Sequence, residues 1–229
     1  MIPLSFEQLP ESIRIEAVKP YYEALNRHRA SLVLKRCFDI FLSLILIIVL
    51  SPLMLFIAVA VKLGSPGPVF YRQKRITSYG KEFRIYKFRS MIVDADKVGP
   101  LVTTGGDSRI TPVGKVIRKT HLDEIPQLFN VLSGDMSFVG TRPEVQKYVE
   151  QYSDEMKATL LLPAGITSEA SIRFRDEAEQ IAGAEDADKV YVEEILPQKM
   201  AINLDYLLHF SWWADLSIML RTFFLIFRR

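Results

Sequence analysis

The sequence has almost no cysteine. Cys37 stands alone among 229 residues, which excludes an internal disulfide framework and a cysteine-built zinc site. Three histidines leave little material for a histidine metal cage. A dominant sign of charge is also missing. Lys and Arg number 29 against 27 Asp and Glu, a net charge of +2, so the balance gives no reason to expect a nucleic acid partner. With 49% hydrophobic and 24% charged residues the chain is neither disordered nor of low complexity. Its length suits one domain with an appended segment. Mean hydropathy is positive despite the charge, so the apolar weight must be concentrated somewhere.

It is concentrated in residues 40–61, where only Ser43, Ser51 and Pro52 interrupt an apolar run. At 1.5 Å per helical residue this run is long enough to cross a hydrocarbon core about 30 Å thick. It begins too late and runs too long for a secretory signal peptide. Pro52 removes a backbone donor and bends a helix, while the hydroxyl of Ser51 can satisfy a freed carbonyl. Lys35 and Arg36 precede the run and Lys62 follows it. Cations at both ends suit a helix that enters, turns at Ser51-Pro52 and leaves on the same face. A kinked helix that spans the bilayer fits the same residues. Cys37, at the membrane edge, reads as a buried small hydrophobe, with acylation as the alternative. Residues 1–34 form a proline-punctuated leader in which Tyr21 to Leu34 reads as a helix feeding the membrane segment.

A breaker cluster at Gly64-Ser65-Pro66-Gly67-Pro68 ends the apolar segment. Residues 69–76 and 81–91 then read as a β-hairpin joined by Thr77-Ser78-Tyr79-Gly80. From Arg72 to Arg89 it carries seven cations, Lys87 among them, against the single acid Glu82. Beside a membrane such a patch attracts anionic headgroups or nucleotide phosphates. Further turns are expected at Gly99-Pro100, Gly105-Gly106 and Thr111-Pro112.

The adjacent acids Asp123 and Glu124 precede Pro126 and an apolar stripe of Ile125, Leu128, Phe129 and Leu132. With Asp123 near the N-cap, Pro126 falls in the first turn of a helix whose open amides would favour carboxylate or phosphate. Neighbouring acids point in different directions and can divide labour, one attacking phosphorus and the other holding a divalent cation. The plainer reading is a cap and a dipole partner. Arg142 can fork onto phosphate, or pair with an acid such as Asp135. Arg173 and Arg175 can reach a diphosphate, or pair with the acidic stretch from Asp176 to Glu194, which includes Glu179 and Glu185. Residues 205–227 are aromatic and apolar but broken by His209, Asp215 and Arg221, which reads as an amphipathic helix in the membrane interface, or one packed on the domain core.

In order, the chain carries KRCFDIF (35–41), the apolar run with Ser51-Pro52, GSPGPVFYRQKR (64–75), FRIYKFRSM (83–91), DSRITPVGKVIRKTHLDEIPQLFNVLSGDMSFVG (107–140) and Arg142-Pro143. This series resembles the bacterial sugar transferases, the small monotopic phosphoglycosyl transferases, strongly from Lys35 to Arg142 and weakly beyond. The chain divides into the leader at 1–34, which is longer than the minimal family core, a membrane helix at 35–63 and a catalytic domain at 64–229 with an interfacial helix at about 205–227, an α+β, helix-rich fold. The resemblance implies that the membrane helix is re-entrant and broken at Ser51-Pro52. It also implies transfer of a sugar 1-phosphate from a UDP-sugar to polyprenyl (undecaprenyl) phosphate with release of UMP, the first membrane step of glycoconjugate assembly. Asp123 becomes the nucleophile that forms an aspartyl-phosphosugar, and Glu124 its partner at Mg²⁺. Arg142 and Pro143 fall in a nucleotide-binding loop, and Lys87, Arg89, Arg173 and Arg175 lie near phosphates.

The expected setting is the bacterial inner membrane, with the catalytic domain facing the cytoplasm among the membrane lipids. No nucleic acid partner is expected, and a homodimer is among the possible assemblies. The alternative is a membrane-anchored lipid- or nucleotide-binding scaffold without turnover. The chain departs from the family pattern at Thr141, where the loop has its first proline, and at 163–169, where Pro-Ala-Gly-Ile-Thr-Ser-Glu replaces Pro-Gly-Ile-Thr-Gly-Trp. These departures leave the sugar open.

Overall fold

The computed structural model describes residues 4–95, 107–177 and 186–227. The turns expected at Gly99-Pro100 and Gly105-Gly106, and the acids Glu179 and Glu185, lie outside the described residues. The fold is helix-rich α+β. Helix α1 (Lys19–Arg27) is followed by α2 (Arg29–Gly64), the hairpin β1 (Phe70–Ile76) and β2 (Glu82–Phe88), α3 (Pro112–Lys119), α4 (Gln127–Ser133) and β3 (Met136–Val139). Then come α5 (Gln146–Val149), β4 (Ala164–Thr167), α6 (Glu169–Arg173) and α7 (Ala187–Val190). Helix α7 runs through a π turn into α8 (Leu196–Leu208), and α9 (Trp212–Phe227) follows. Strands β1 and β2 pair antiparallel with Arg75 opposite Phe83 and Lys87 opposite Tyr71. Strands β3 and β4 pair parallel. There Gly140 and Gly165 meet so closely that a Cβ on Gly165 would lie 2.2 Å from the Gly140 amide nitrogen.

The leader is not one helix feeding the membrane segment. Helix α1 stops at Arg27, and His28 separates it from α2. Leu9, Ile13, Val18, Tyr21 and Leu25 are buried against Ala158, Leu161, Leu162, Leu204, Leu207 and Phe210. This docking on the body of the protein explains the turn at His28.

Helix α2 is 36 residues long and continues through Pro52, where the sequence suggested a break. Pro52 cannot donate to the carbonyl of Ile48, and the Ser51 hydroxyl donates to that carbonyl instead, at 2.7 Å. It is the one helix among the described residues long and apolar enough to cross a membrane. Its two ends hold the same body of protein. Near the start, Lys35 donates to the Val139 carbonyl, Arg36 donates to the carbonyls of Val131 and Leu132, and Asp39 accepts from the Phe138 amide. Near the end, Met54, Ile57 and Val61 pack on Phe88 and Ile117.

Between these anchors Phe41, Ile48, Val49, Leu55 and Phe56 stand exposed, each 64–72%. Helix α9 meets this face through Phe38 and Trp212, with ring centroids 5.9 Å apart, and leaves Trp213, Leu220, Phe223 and Phe224 uncovered. The C-terminal segment packs on the domain core, the second of its two readings. Asp215 and Ile218 are buried in the body while the other face of α9 is apolar and bare. Cys37 is exposed, not a buried hydrophobe, because the buried face of α2 runs through Leu32, Lys35, Asp39 and Ser43.

Candidate active site

The two acids do not begin a helix. Helix α3 ends at Lys119, and His121 adopts the left-handed conformation at φ 55°. This turns the chain into a single 3₁₀ turn, Leu122–Glu124. Helix α4 starts only after Pro126, whose fixed φ suits the entry to a helix. The row of open amides expected beside the acids is largely closed. The N–H groups of Glu124, Ile125, Leu128 and Phe129 bond to the carbonyls of His121, Leu122, Ile125 and Pro126. The buried stripe of α4 runs through Leu128 and Val131, with Phe129 exposed.

What fixes the acids against the hairpin is Asn130, which is 1% exposed. Its carbonyl oxygen accepts from the Tyr86 amide and its amide donates to the Arg84 carbonyl, so α4 is stitched to β2. Lys87, one residue further along β2, then bonds Glu124 Oε1 at 2.6 Å. Arg142, just past β3, reaches the same oxygen at 3.5 Å. Burial acts to raise the Glu124 carboxyl, but the Lys87 ammonium and the Arg142 guanidinium outweigh it and hold the pKa at about 2. Asp123 is also buried and accepts no hydrogen bond among the described residues. Burial first, then the neighbouring Glu124, pushes its carboxyl above the usual range, with Lys87, Arg118 and His121 pulling back. A permanently ionised acid thus sits beside a more basic, unpartnered one.

Among the described residues no group of three or more His, Cys, Asp or Glu side chains could enclose a metal. The pair does fit Mg²⁺, which commonly takes one or two protein carboxylates together with substrate phosphates and water. Both cations share Glu124 Oε1, and neither Oε2 nor the Asp123 carboxylate has a protein partner among the described residues.

The structure therefore brings Lys87, Asp123, Glu124 and Arg142 together. Pro143 is buried behind them, its carbonyl accepting from Arg75. Arg89 has a different task. It is buried, and its guanidinium donates to the carbonyls of Val61, Ser65 and Pro66, closing the end of α2. Gly67 is required there at φ 122°, because a Cβ would lie 2.0 Å from Arg89 Nη1. Arg173 and Arg175 sit at exposed positions, Arg175 paired with Asp176 of the acidic stretch and Arg173 with Glu169, which lies outside that stretch. Asp135 pairs with Lys81 and not with Arg142.

Arg142 also lines an open cleft of ≈ 590 Å³ whose walls include neither Asp123 nor Glu124. Arg75, Glu144, Glu177, Tyr191 and Lys199 line it further in. The Tyr191 hydroxyl donates to Glu144 at 2.6 Å, and burial together with Glu144 keeps that hydroxyl protonated far above its ordinary range. Lys199 bonds Glu177 at 2.7 Å. Sequence reasoning placed Arg75 in the basic hairpin and Glu177 in the acidic stretch, and passed over Glu144, Tyr191, Lys199 and Asn130. A buried asparagine in an apolar stripe was a readable signal, whereas Glu177 and Lys199 belong to segments joined only by the tertiary fold.

A family model described as bacterial sugar transferase matches residues 30–229. The chain is 40% identical over 193 residues to a UDP-N-acetylgalactosamine-undecaprenyl-phosphate N-acetylgalactosaminephosphotransferase of Aeromonas hydrophila, covering 82% of this chain and 42% of the relative. It is 38% identical over 196 residues to a UDP-glucose:undecaprenyl-phosphate glucose-1-phosphate transferase of Escherichia coli K12, covering 83% and 39%. Over 219 residues it is 36% identical to an undecaprenyl-phosphate galactose phosphotransferase of Salmonella typhimurium LT2, covering 88% and 42%. The chain thus spans about two fifths of the length of these curated relatives.

Proposed function

Because the chain belongs to the bacterial sugar transferase family, we propose that it moves a sugar 1-phosphate from a UDP-sugar to polyprenyl phosphate and releases UMP. The relatives' names support a UDP-sugar donor and undecaprenyl phosphate as acceptor, and they differ in the sugar. The observation that carries the reading is Asp123, a buried and unpartnered carboxylate beside an acid already neutralised by two cations.

In the first step an Asp123 carboxylate oxygen attacks the sugar-bearing β-phosphorus. The bond from that phosphorus to the bridging oxygen breaks, and UMP leaves with the electron pair. In the second step an oxygen of polyprenyl phosphate attacks the same phosphorus, the aspartyl–phosphorus bond breaks, and the Asp123 carboxylate is regenerated. No proton need move in either step. Burial raises the basicity of Asp123 and so its nucleophilicity, while Lys87 and Arg142 receive the phosphate oxygens. Asp123 and Glu124 would hold Mg²⁺, whose charge would offset repulsion between carboxylate and diphosphate.

The acceptor is a lipid, and the anchoring of α2 suits it. Both ends of the helix hold one body of protein, Leu42, Leu46, Ile47 and Leu50 pack on that body between them, and the outward face of the helix is bare and apolar. That arrangement supports re-entry from one face, which would set the site level with lipid phosphates and open to a soluble nucleotide. UDP-sugars are cytoplasmic substrates, so the body would face the cytoplasm at the inner membrane. The purified protein in detergent, given undecaprenyl phosphate, Mg²⁺ and a panel of UDP-sugars, should release UMP. Asp123→Asn should abolish release while the protein stays folded, and intact-mass analysis without acceptor should find a phosphosugar adduct on the wild type alone. Absence of UMP from every donor, or full turnover by Asp123→Asn, would refute the proposal.

A further inference from the structure

We propose that the cleft beyond Arg142 holds the sugar of the donor, and that Glu144, Glu177 and Lys199 select among sugars by hydrogen bonding to their hydroxyl groups. The inference rests on the transferase reading and goes further by assigning the residues that choose the substrate. Three observations carry it.

The first is charge. Inside the rim formed by Arg142, the two cations Arg75 and Lys199 face the two carboxylates Glu144 and Glu177. Those charges balance, so the inner lining offers a diphosphate no net attraction, and Lys87 and Arg142 serve it better. The cleft therefore suits the uncharged part of the donor.

The second is hydrogen-bonding character. A sugar hydroxyl both donates and accepts. Carboxylates that accept, set beside an ammonium, a guanidinium and the amide of Gln73, offer it both kinds of partner. Lys199 is 3% exposed yet bonds Glu177, whose carboxylate is only partly covered, so the pair presents an ordered acceptor at the cleft wall.

The third observation argues against the nucleobase. Among the described residues the aromatic rings on the lining are those of Tyr148 and Tyr191, which pack on each other with centroids 4.8 Å apart. They are 5% and 3% exposed, and the Lys199 ammonium lies over the Tyr191 ring at 5.1 Å. No open ring face remains for a flat base to stack on.

The test compares wild type with Glu177→Gln, Lys199→Arg and Lys199→Met. For each, kcat/KM is measured across UDP-glucose, UDP-galactose, UDP-N-acetylglucosamine and UDP-N-acetylgalactosamine, along with competitive inhibition by UMP, which lacks the sugar. The expected result is a change of about tenfold or more in the ratio of kcat/KM between the best and second sugars, with UMP inhibition within about twofold of wild type. Glu177→Gln is the key variant because its partly exposed site tolerates an isosteric amide, and UMP inhibition reports that the site is folded. Weaker UMP inhibition in step with the loss of kcat/KM would place the nucleoside in the cleft and overturn the inference. Turnover with an unchanged sugar preference in all three variants would overturn it too. Failure of the wild type to release UMP from any donor would remove the transferase reading itself, an outcome distinct from the other two.

Discussion

Lys35 and Asp215 form the most deeply buried ion pair of the protein among the described residues, with side chains 3% and 6% exposed and 2.6 Å apart. Lys35 also donates to the Val139 carbonyl at 2.8 Å, and the Tyr206 hydroxyl donates to the other Asp215 oxygen at 2.6 Å. Four elements, α2, β3, α8 and α9, therefore meet at one charge pair. Replacing Lys35 by Met leaves the Asp215 carboxylate buried with one hydroxyl partner. Breaking a buried pair in this way costs about 3–5 kcal/mol. At about 2–4 °C per kcal/mol for a chain of this size, the melting temperature should fall by roughly 6–20 °C.

Replacing the whole cluster by Lys35→Met, Asp215→Leu and Tyr206→Phe removes the stranded Asp215 carboxylate and leaves two groups that Lys35 had served, the Val139 carbonyl and the buried Asp39 carboxylate. Stability should then recover in part, to a loss smaller than the sum of the single effects. The assay is thermal unfolding in detergent followed by fluorescence of Trp212 and Trp213 at the start of α9. A single-variant loss below about 1 kcal/mol would show that water reaches the pair, and strict additivity of the substitutions would refute the coupling.

Other outcomes follow from the same geometry. Asn130→Ala removes two hydrogen bonds between α4 and β2, so it should cost about 1–3 kcal/mol in chemical denaturation and lower kcat by loosening Glu124 from Lys87. Arg89→Met should destabilise the protein by removing the donor that ties the carbonyls of Val61, Ser65 and Pro66 together at the end of α2, while KM for the UDP-sugar stays near the wild-type value. Glu124, held at about 2 against an ordinary value of 4.5, stabilises the fold fully above its unfolded pKa and loses that contribution as pH falls from about 4.5 toward 2. In Lys87→Met this acid-limb contribution should shrink, as seen in unfolding free energies measured between pH 2 and pH 6.

The hairpin, the long apolar helix and the adjacency of Asp123 and Glu124 were legible because each rests on local signals. Alternation and turn residues gave β1 and β2, hydropathy gave α2, and adjacent acids gave the candidate site. The role of Ser51 was legible for the same reason, since the carbonyl that Pro52 leaves unbonded is only a turn away. Arg89 shows where such reading stops. It lies two residues from Lys87 in an evenly basic strand, so sequence treats the two alike. Strand alternation puts both on one face, and only the path of α2 decides that Arg89 meets three carbonyls while Lys87 meets Glu124. The cleft was illegible for a stronger reason. Its lining comes from β1, the segment after β3, α5, the residues after α6, and α8, and no spacing rule links these pieces.

The flanking cations of the apolar run carry the last consequence. Counted as free charges, Lys35, Arg36 and Lys62 speak for orientation by the positive-inside rule. In the fold, Lys35 is neutralised by Asp215, and Arg36 is spent on two carbonyls of α4. On the proposed re-entrant topology, docking to the body would fix the entry of α2 more than attraction to the cytoplasmic face. If so, Arg36→Gln should leave both ends of α2 accessible from the same side in cysteine labelling of intact and opened vesicles. It should also lower thermal stability, because the Leu132 carbonyl loses the Arg36 donor and the Val131 carbonyl keeps only the Gly134 amide. Labelling of the two ends from opposite sides, in this variant or in the wild type, would show that loop charge and not docking sets the topology.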